Sequence, residues 1–144
     1  MAQFVEFIGN HYLMSLAWAA LFIMLVASYV GGFMSPIKLI GTHDMTLLVN
    51  RSNGVVVDIR TAADFAKGHI TDAINLTMDK ITGGQLGSLE KHKSNPIVVV
   101  CNAGMSAKSA AKLLSKAGFE QVSVLQGGMQ TWTSANLPVV KKKK

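Results

Sequence analysis

The residues with the clearest chemical potential are Cys101-Asn-Ala-Gly-Met-Ser-Ala-Lys108, which follow the apolar run Ile97-Val-Val-Val100. Cys101 is the only cysteine among 144 residues. Four consecutive β-branched residues read as a short strand covered on both faces, the kind found in parallel sheets. Beyond the loop, Ala107, Ala110, Ala111, Leu114 and Ala117 recur at helical spacing and form an apolar stripe. Cys101 therefore falls between a strand end and a helix N-terminus. Unpaired N–H groups and a partial positive charge gather there and favour a thiolate or a bound anion. Such a thiol can act as a nucleophile. A lone cysteine also serves as a small buried hydrophobe, and position alone does not choose between the two.

The elements that must hold this loop follow from the pattern around it. Ile37 to Ile40 reads as a first strand, and Thr42 as the cap of a helix carrying Met45, Leu48 and Val49. Asn53-Gly54 marks a turn before Val55-Val-Val-Asp58, a buried strand ending in a carboxylate. A short helix over 62–66, the segment Gly68-His69-Ile70 and a short strand over 73–76 come next. Residues 82–87 read as loop, and 86–92 as a helical turn or two. After the central loop and its helix, Gly118 is a stop signal. Gln121 to Leu125 gives a last strand, Gln126-Gly-Gly128 a sharp turn, and 129–135 a short helix bearing Trp132. Alternating strands and helices predict an α/β domain with a mainly parallel sheet flanked by helices.

Composition narrows the class. The chain is 49% hydrophobic and 15% charged, and the apolar excess is concentrated near the N-terminus. No Asp, Glu, Lys or Arg occurs between Glu6 and Lys38. As a helix, 12–34 spans about 34 Å at roughly 1.5 Å per residue, the length of a single-pass transmembrane helix. Residues 1–10 lack the Lys or Arg of a cleaved leader, so a retained anchor is expected. Lys38 and Arg51 follow the span and none precedes it, which places the C-terminal domain in the cytoplasm. The expected organisation is a short N-terminal segment (1–11), a transmembrane helix (12–34), a Ser35-Pro36 linker (35–36), a domain (37–138) and a basic tail (139–144).

Four of the net +6 charges are Lys141 to Lys144, and the +2 that remains argues against a nucleic-acid partner. The tail can meet anionic lipid or simply be solvated. His11, His43, His69 and His92 are scattered, so no metal site is expected. One cysteine excludes an internal disulfide framework and suits a reducing compartment.

Read together, several short motifs resemble the rhodanese family of sulfurtransferases over about Ile37 to Pro138. They are Val57-Asp-Ile-Arg60, Asp64-Phe65, Gly68-His-Ile70, Ala73-Ile-Asn75, Cys101-x-x-Gly104-x-Ser106-x-Lys108, Gly118-Phe119, Val124-Leu125-x-Gly127-Gly128 and Trp132. A single such domain behind an anchor resembles the small membrane-anchored rhodanese-like proteins of bacterial inner membranes. The resemblance implies a rhodanese-like fold, with Cys101 as the nucleophile that takes sulfane sulfur from a donor such as thiosulfate. The resulting persulfide passes to a thiol or a cyanide-like acceptor, with no cofactor.

Loop N–H groups of Asn102, Ala103, Gly104, Met105, Ser106 and Ala107, with Lys108 and Arg60 nearby, are the expected anion-binding groups. Asp58 and Arg60 are expected chiefly as a structural pair, His69 as a structural hydrogen-bonding residue, and Trp132 as core. Lys108, Lys112 and Lys116 lie at i, i+4, i+8 and read as a solvated face.

One departure bears on substrate. Many members of the family carry Arg where Ser106 stands, and here the loop is uncharged. A flexible lysine does not replace a guanidinium fork. The alternative is therefore a rhodanese-like interaction module at the membrane, with a membrane-protein partner and little turnover. A cysteine phosphatase of related fold ranks below both, because its longer loop ends in the Arg that Ser106 replaces.

Overall fold

The computed structural model describes residues 11–33 and 37–141, with 28–33 described by backbone alone. The expected N-terminal segment up to position 10, Met34, the 35–36 linker and Lys142 to Lys144 lie outside the described residues. The chain divides into two units at Ser35–Pro36.

The first unit contains helix α1, Tyr12–Phe33, 22 residues without a charge. Leu13, Met14, Leu16, Trp18, Leu21 and Phe22 are all exposed on it. Among the described residues no helix is long and apolar enough to cross a membrane.

The second unit is a five-stranded, fully parallel sheet with strand order β1-β5-β4-β2-β3. Its elements are β1 Lys38–Ile40, α2 Thr42–Arg51, β2 Val55–Asp58, α3 Ala62–Lys67, β3 Ile74–Asn75 and α4 Met78–Thr82. After a 3-10 segment at Gly87–His92 come β4 Ile97–Val100, α5 Met105–Lys116, β5 Val122–Leu125 and α6 Gly128–Ser134.

Strand alternation sends successive side chains to opposite faces, and two cores result. On one face Val57, Ile97, Val99, Val122 and Val124 pack with Ala107, Ala110, Ala111 and Leu114 of α5 and with Ile81 of α4. On the other, Val56, Val98, Val100 and Leu125 pack with Met45 of α2 and with Met129 and Trp132 of α6. All four residues of β4 are fully buried, as a strand in the middle of a two-sided parallel sheet must be.

Three local expectations need correction. Thr42 does not cap α2: the cap position is Gly41, in extended conformation, and makes no side-chain cap bond. Thr42 is instead the first helical residue, and its carbonyl accepts the Thr46 hydroxyl at 2.8 Å. Helix α4, anchored by buried Ile81, occupies 78–81, for which no element was expected, and Thr82, expected as the start of a loop. The segment after 138 is also held. Val140 pairs with His69 through two backbone hydrogen bonds of 2.9 and 2.8 Å, and the Trp132 indole N–H donates to the Pro138 carbonyl at 3.0 Å.

Candidate active site

Because every strand runs in the same direction, Asp58, Asn75, Val100 and Leu125 end at one edge of the sheet. That carboxyl edge is where parallel α/β sheets offer crevices to ligands. Cys101 continues the alternation of Ile97 and Val99, so its side chain falls on the α5 face and belongs to that core. Only 3% of Cys101 is exposed.

The loop after it is shorter than the sequence implied. Gly104, at φ 90°, is already the cap of α5, so Met105, Ser106 and Ala107 form its first turn rather than loop. A left-handed φ is costly for residues with a side chain. Here the space is also closed, since a Cβ on Gly104 would lie 3.0 Å from the Gly127 nitrogen.

The Gly104 N–H donates to Cys101 Sγ at 2.9 Å. The remaining first-turn N–H groups, those of Met105, Ser106 and Ala107, have no intrahelical acceptor by helix geometry. They lie at the positive end of the helix dipole. Asn102, Ala103, Met105 and Ser106 are exposed around the buried sulfur, whereas Gly104 and Ala107 are buried. Lys108, also exposed, stands on the first turn of α5 beyond them. This bowl of backbone donors has the chemistry to accept a negative charge.

The bowl rests on the turn after β5. Met129 N–H donates to the Cys101 carbonyl at 2.8 Å and Gln130 N–H to the Asn102 carbonyl at 3.1 Å. Gly128, at φ 58°, sits beneath them, and a Cβ there would come within 2.8 Å of the Asn102 oxygen. Gly127-Gly128 was legible as a turn but not as the floor of the cysteine loop, since that contact depends on β5 lying beside β4.

Asp58 and Arg60 form a closed pair on the other face. Arg60 Nη2 donates to Asp58 Oδ2 at 2.6 Å and Nε to both carboxylate oxygens at 3.0 Å, with side chains 9% and 1% exposed. Nη2 also donates to the Gly68 carbonyl at 2.8 Å. The turn between them is fixed by Asn75, whose amide donates to the Asp58 and Arg60 carbonyls at 3.1 and 2.9 Å. The His69 ring stacks on Phe65, centroids 3.7 Å apart, and its Nδ1 lies 2.8 Å from the Phe65 carbonyl oxygen.

At the start of α3 the Thr61 hydroxyl accepts the Asp64 N–H. Lys67, then Thr61, hold the Asp64 carboxyl below the usual carboxylate range by hydrogen bonding. The small stabilisation this gives is present above the ordinary carboxylate pKa and is lost as pH falls through the lowered one.

A cavity of about 560 Å³ bordered by Lys38, Asp44, Leu48, Pro96 and Val122 lies at the opposite, amino edge of the sheet. It is remote from Cys101, so its size does not make it the reactive site.

The geometry is that of a parallel α/β domain with a buried cysteine beneath a helix N-terminus. The description "Rhodanese-like domain" matches residues 42–135, and the chain belongs to that family. It is 41% identical over 143 residues to the uncharacterized protein YibN of Escherichia coli strain K12, covering 99% of this chain and 100% of that one. It is 33% identical over 103 residues to the thiosulfate sulfurtransferase GlpE of Shewanella oneidensis, covering 72% and 99%. Among solved structures, a rhodanese-related protein of Thermoplasma volcanium superposes with a TM-score of 0.61 at 25% identity, over 73% of this chain and 99% of that one.

Proposed function

We propose that the chain is a rhodanese-type sulfurtransferase that moves sulfane sulfur through a persulfide on Cys101. One observation carries the reading: Cys101 Sγ is held by the Gly104 N–H at 2.9 Å at the N-terminus of a 12-residue helix. The thiolate attacks the sulfane sulfur of a donor such as thiosulfate, and the S–S bond to the sulfite moiety breaks. A persulfide on Cys101 and free sulfite result. A thiolate or cyanide-like acceptor then attacks the outer sulfur, and the Cys101 thiolate leaves. The sulfane atom moves with no net oxidation, so neither step needs a cofactor. First-turn N–H groups stabilise the anion in both steps.

The test is sulfite release from thiosulfate with cyanide as acceptor. Turnover is expected for the parent chain and none for Cys101→Ser; equal rates in both would overturn the reading. Placing a guanidinium at the loop edge should strengthen donor binding. Ser106→Arg is expected to raise kcat/KM for thiosulfate about tenfold, the worth of one charge-assisted hydrogen bond, measured by the same assay.

In this reading the domain works at a bacterial inner membrane, with α1 as its single-pass anchor and the domain on the cytoplasmic side. Support comes from the uncharged 22-residue helix, exposed apolar side chains on all its sides, and the placement of Lys38 and Arg51 after it. Membrane fractionation with protease accessibility of the C-terminal domain tests both anchorage and side.

The uncharged loop mouth favours a second reading. Met105 is 82% exposed beside the buried sulfur, an apolar contact suited to a protein partner at the membrane. Capture of a membrane protein that persists in Cys101→Ser, with negligible turnover in the parent chain, would select the interaction module.

A further inference from the structure

Strands of a parallel sheet are covered on both faces, and β4 follows this rule at every residue. The edge strand β1 does not. Lys38 and Leu39 are exposed, Leu39 to 49%, and Ile40 is only partly buried. Among the described residues β1 pairs with β5 alone, so its outer edge is open.

The backbone at that edge is set up to pair. The Gln126 N–H donates to the Ile40 carbonyl at 2.9 Å, which turns Ile40 and, by alternation, Lys38 toward β5. The N–H and C=O of Leu39 therefore point away from the sheet. A short strand with one outward donor and one outward acceptor at its centre matches an antiparallel copy of itself. Each copy gives and takes a hydrogen bond at the same residue.

The space above β1 is unfilled as well. Register aligns Val56, Val98, Ser123 and Lys38 in one row across the sheet. Val56 and Val98 fill their places in the core, whereas Ser123 is small and Lys38 is exposed. The row ends in the cavity of about 560 Å³, walled by Asp44, Leu47, Leu48 and Arg51, which recur at i, i+3, i+4 and i+7 on α2. Its charges are sorted by end. Lys38 and Arg51 outnumber Glu120 at the amino end, and Asp44 stands at the other, on the first turn of α2. None of the four makes an ion pair among the described residues. A twofold contact needs a self-complementary surface, and a groove basic at one end and acidic at the other supplies it.

We propose that β1 is the contact through which two copies of this chain associate, antiparallel about a twofold axis at Leu39, so that the two sheets become continuous. Leu39 meets its counterpart across the axis, on the face opposite the cavity, and its exposed surface is covered there. Lysine ordinarily guards an edge against such pairing. Here Lys38 lies opposite the partner's Ile40, where the chain turns into α2 and brings the partner's Asp44 alongside. The symmetry makes that ion pair twice.

The test uses the full-length chain in detergent with Cys101→Ser throughout, so that every thiol is an introduced one. Ile37→Cys, Leu39→Cys and Gly41→Cys are made singly; at Gly41 nothing lies within 4 Å of the Cβ position. Hydrogen-bonded antiparallel partners have Cα atoms about 5.5 Å apart, inside the disulfide range of about 4.4–6.8 Å. Residues two places either side of the axis face one another rather than their own counterparts, which lie more than about 13 Å away. Mild oxidation is therefore expected to link Leu39→Cys at least about tenfold faster than the other two.

Sedimentation of otherwise unaltered full-length chains measures the charges. Lys38→Glu and Asp44→Lys are each expected to weaken association about tenfold, the worth of two exposed pairs turned to repulsion. The combined variant remakes the pair with its signs exchanged and is expected to recover most of the loss. Equal oxidation at the three positions, as association through any other part of the chain gives, overturns the proposal. So does a parent chain that sediments as a monomer at every concentration, or an affinity that neither single charge variant changes.

Discussion

Arg60→Met is expected to destabilise the domain severely. The substitution keeps most of the aliphatic volume but removes the cation from a pair in which Asp58 is 1% exposed and makes three of its contacts to one guanidinium. A carboxylate left without its partner at such a site costs about 3–5 kcal/mol, a large share of the roughly 5–15 kcal/mol that holds an ordinary domain folded. The Gly68 carbonyl loses its donor as well, which adds to the loss.

The measurement is urea denaturation followed by circular dichroism. The companion variant Asp58→Leu/Arg60→Met removes both charges and is expected to recover a substantial part of the loss, because the cost lies in the uncompensated charge more than in the missing attraction. If Arg60→Met shifts the midpoint no more than an exposed substitution does, the pair does not hold the domain together.

The second large effect belongs to Gly128. Its φ of 58° already disfavours a side chain, and an added Cβ would meet the Cys101 oxygen and lie 2.8 Å from that of Asn102. Both carbonyls are acceptors for the first N–H groups of α6, so the clash cannot be relieved by a side-chain rotation. Either the loop lifts or α6 retreats. Gly128→Ala is expected to cost about 3 kcal/mol or more, since strain and overpacking act together.

Sulfur transfer in the fraction that remains folded should fall by about a hundredfold, the usual consequence of displacing a reacting group by about an ångström. Denaturation and single-turnover transfer, measured side by side, separate the two effects. Gly118→Ala provides the contrast: it shares the left-handed backbone, at φ 98°, but nothing lies within 4 Å of its Cβ position. It is expected to lose stability alone.

These two sites show where the sequence was readable and where it was not. The valine runs of β2 and β4 and the alanine stripe of α5 announce their elements because burial on both sheet faces, or along one helical side, imposes its own periodicity. The position of Cys101 between strand and helix followed from the same periodicity.

What could not be read depends on which strands become neighbours. Gly127-Gly128 lies under the cysteine loop because β5 pairs with β4. Val140 reaches His69 by a bridge between residues more than sixty positions apart. A cavity between α3 and α6 draws its walls from three distant stretches, around Arg60 to Gly68, at Asn102 and from Met129 to Val139, and no local pattern marks such a meeting. Short elements failed for another reason. In α4, five residues with a single buried side chain, there is too little repetition to establish a period.

In the proposed reaction Cys101 carries the sulfur in transit. Mass spectrometry of the intact chain after brief exposure to thiosulfate tests it most directly, with peptide mapping to locate any added mass. One extra sulfur on the peptide containing Cys101, removed by cyanide and absent from Cys101→Ser, is the predicted result. A chain that gains no mass under conditions where GlpE of Shewanella oneidensis does, or that gains it equally in Cys101→Ser, would contradict it.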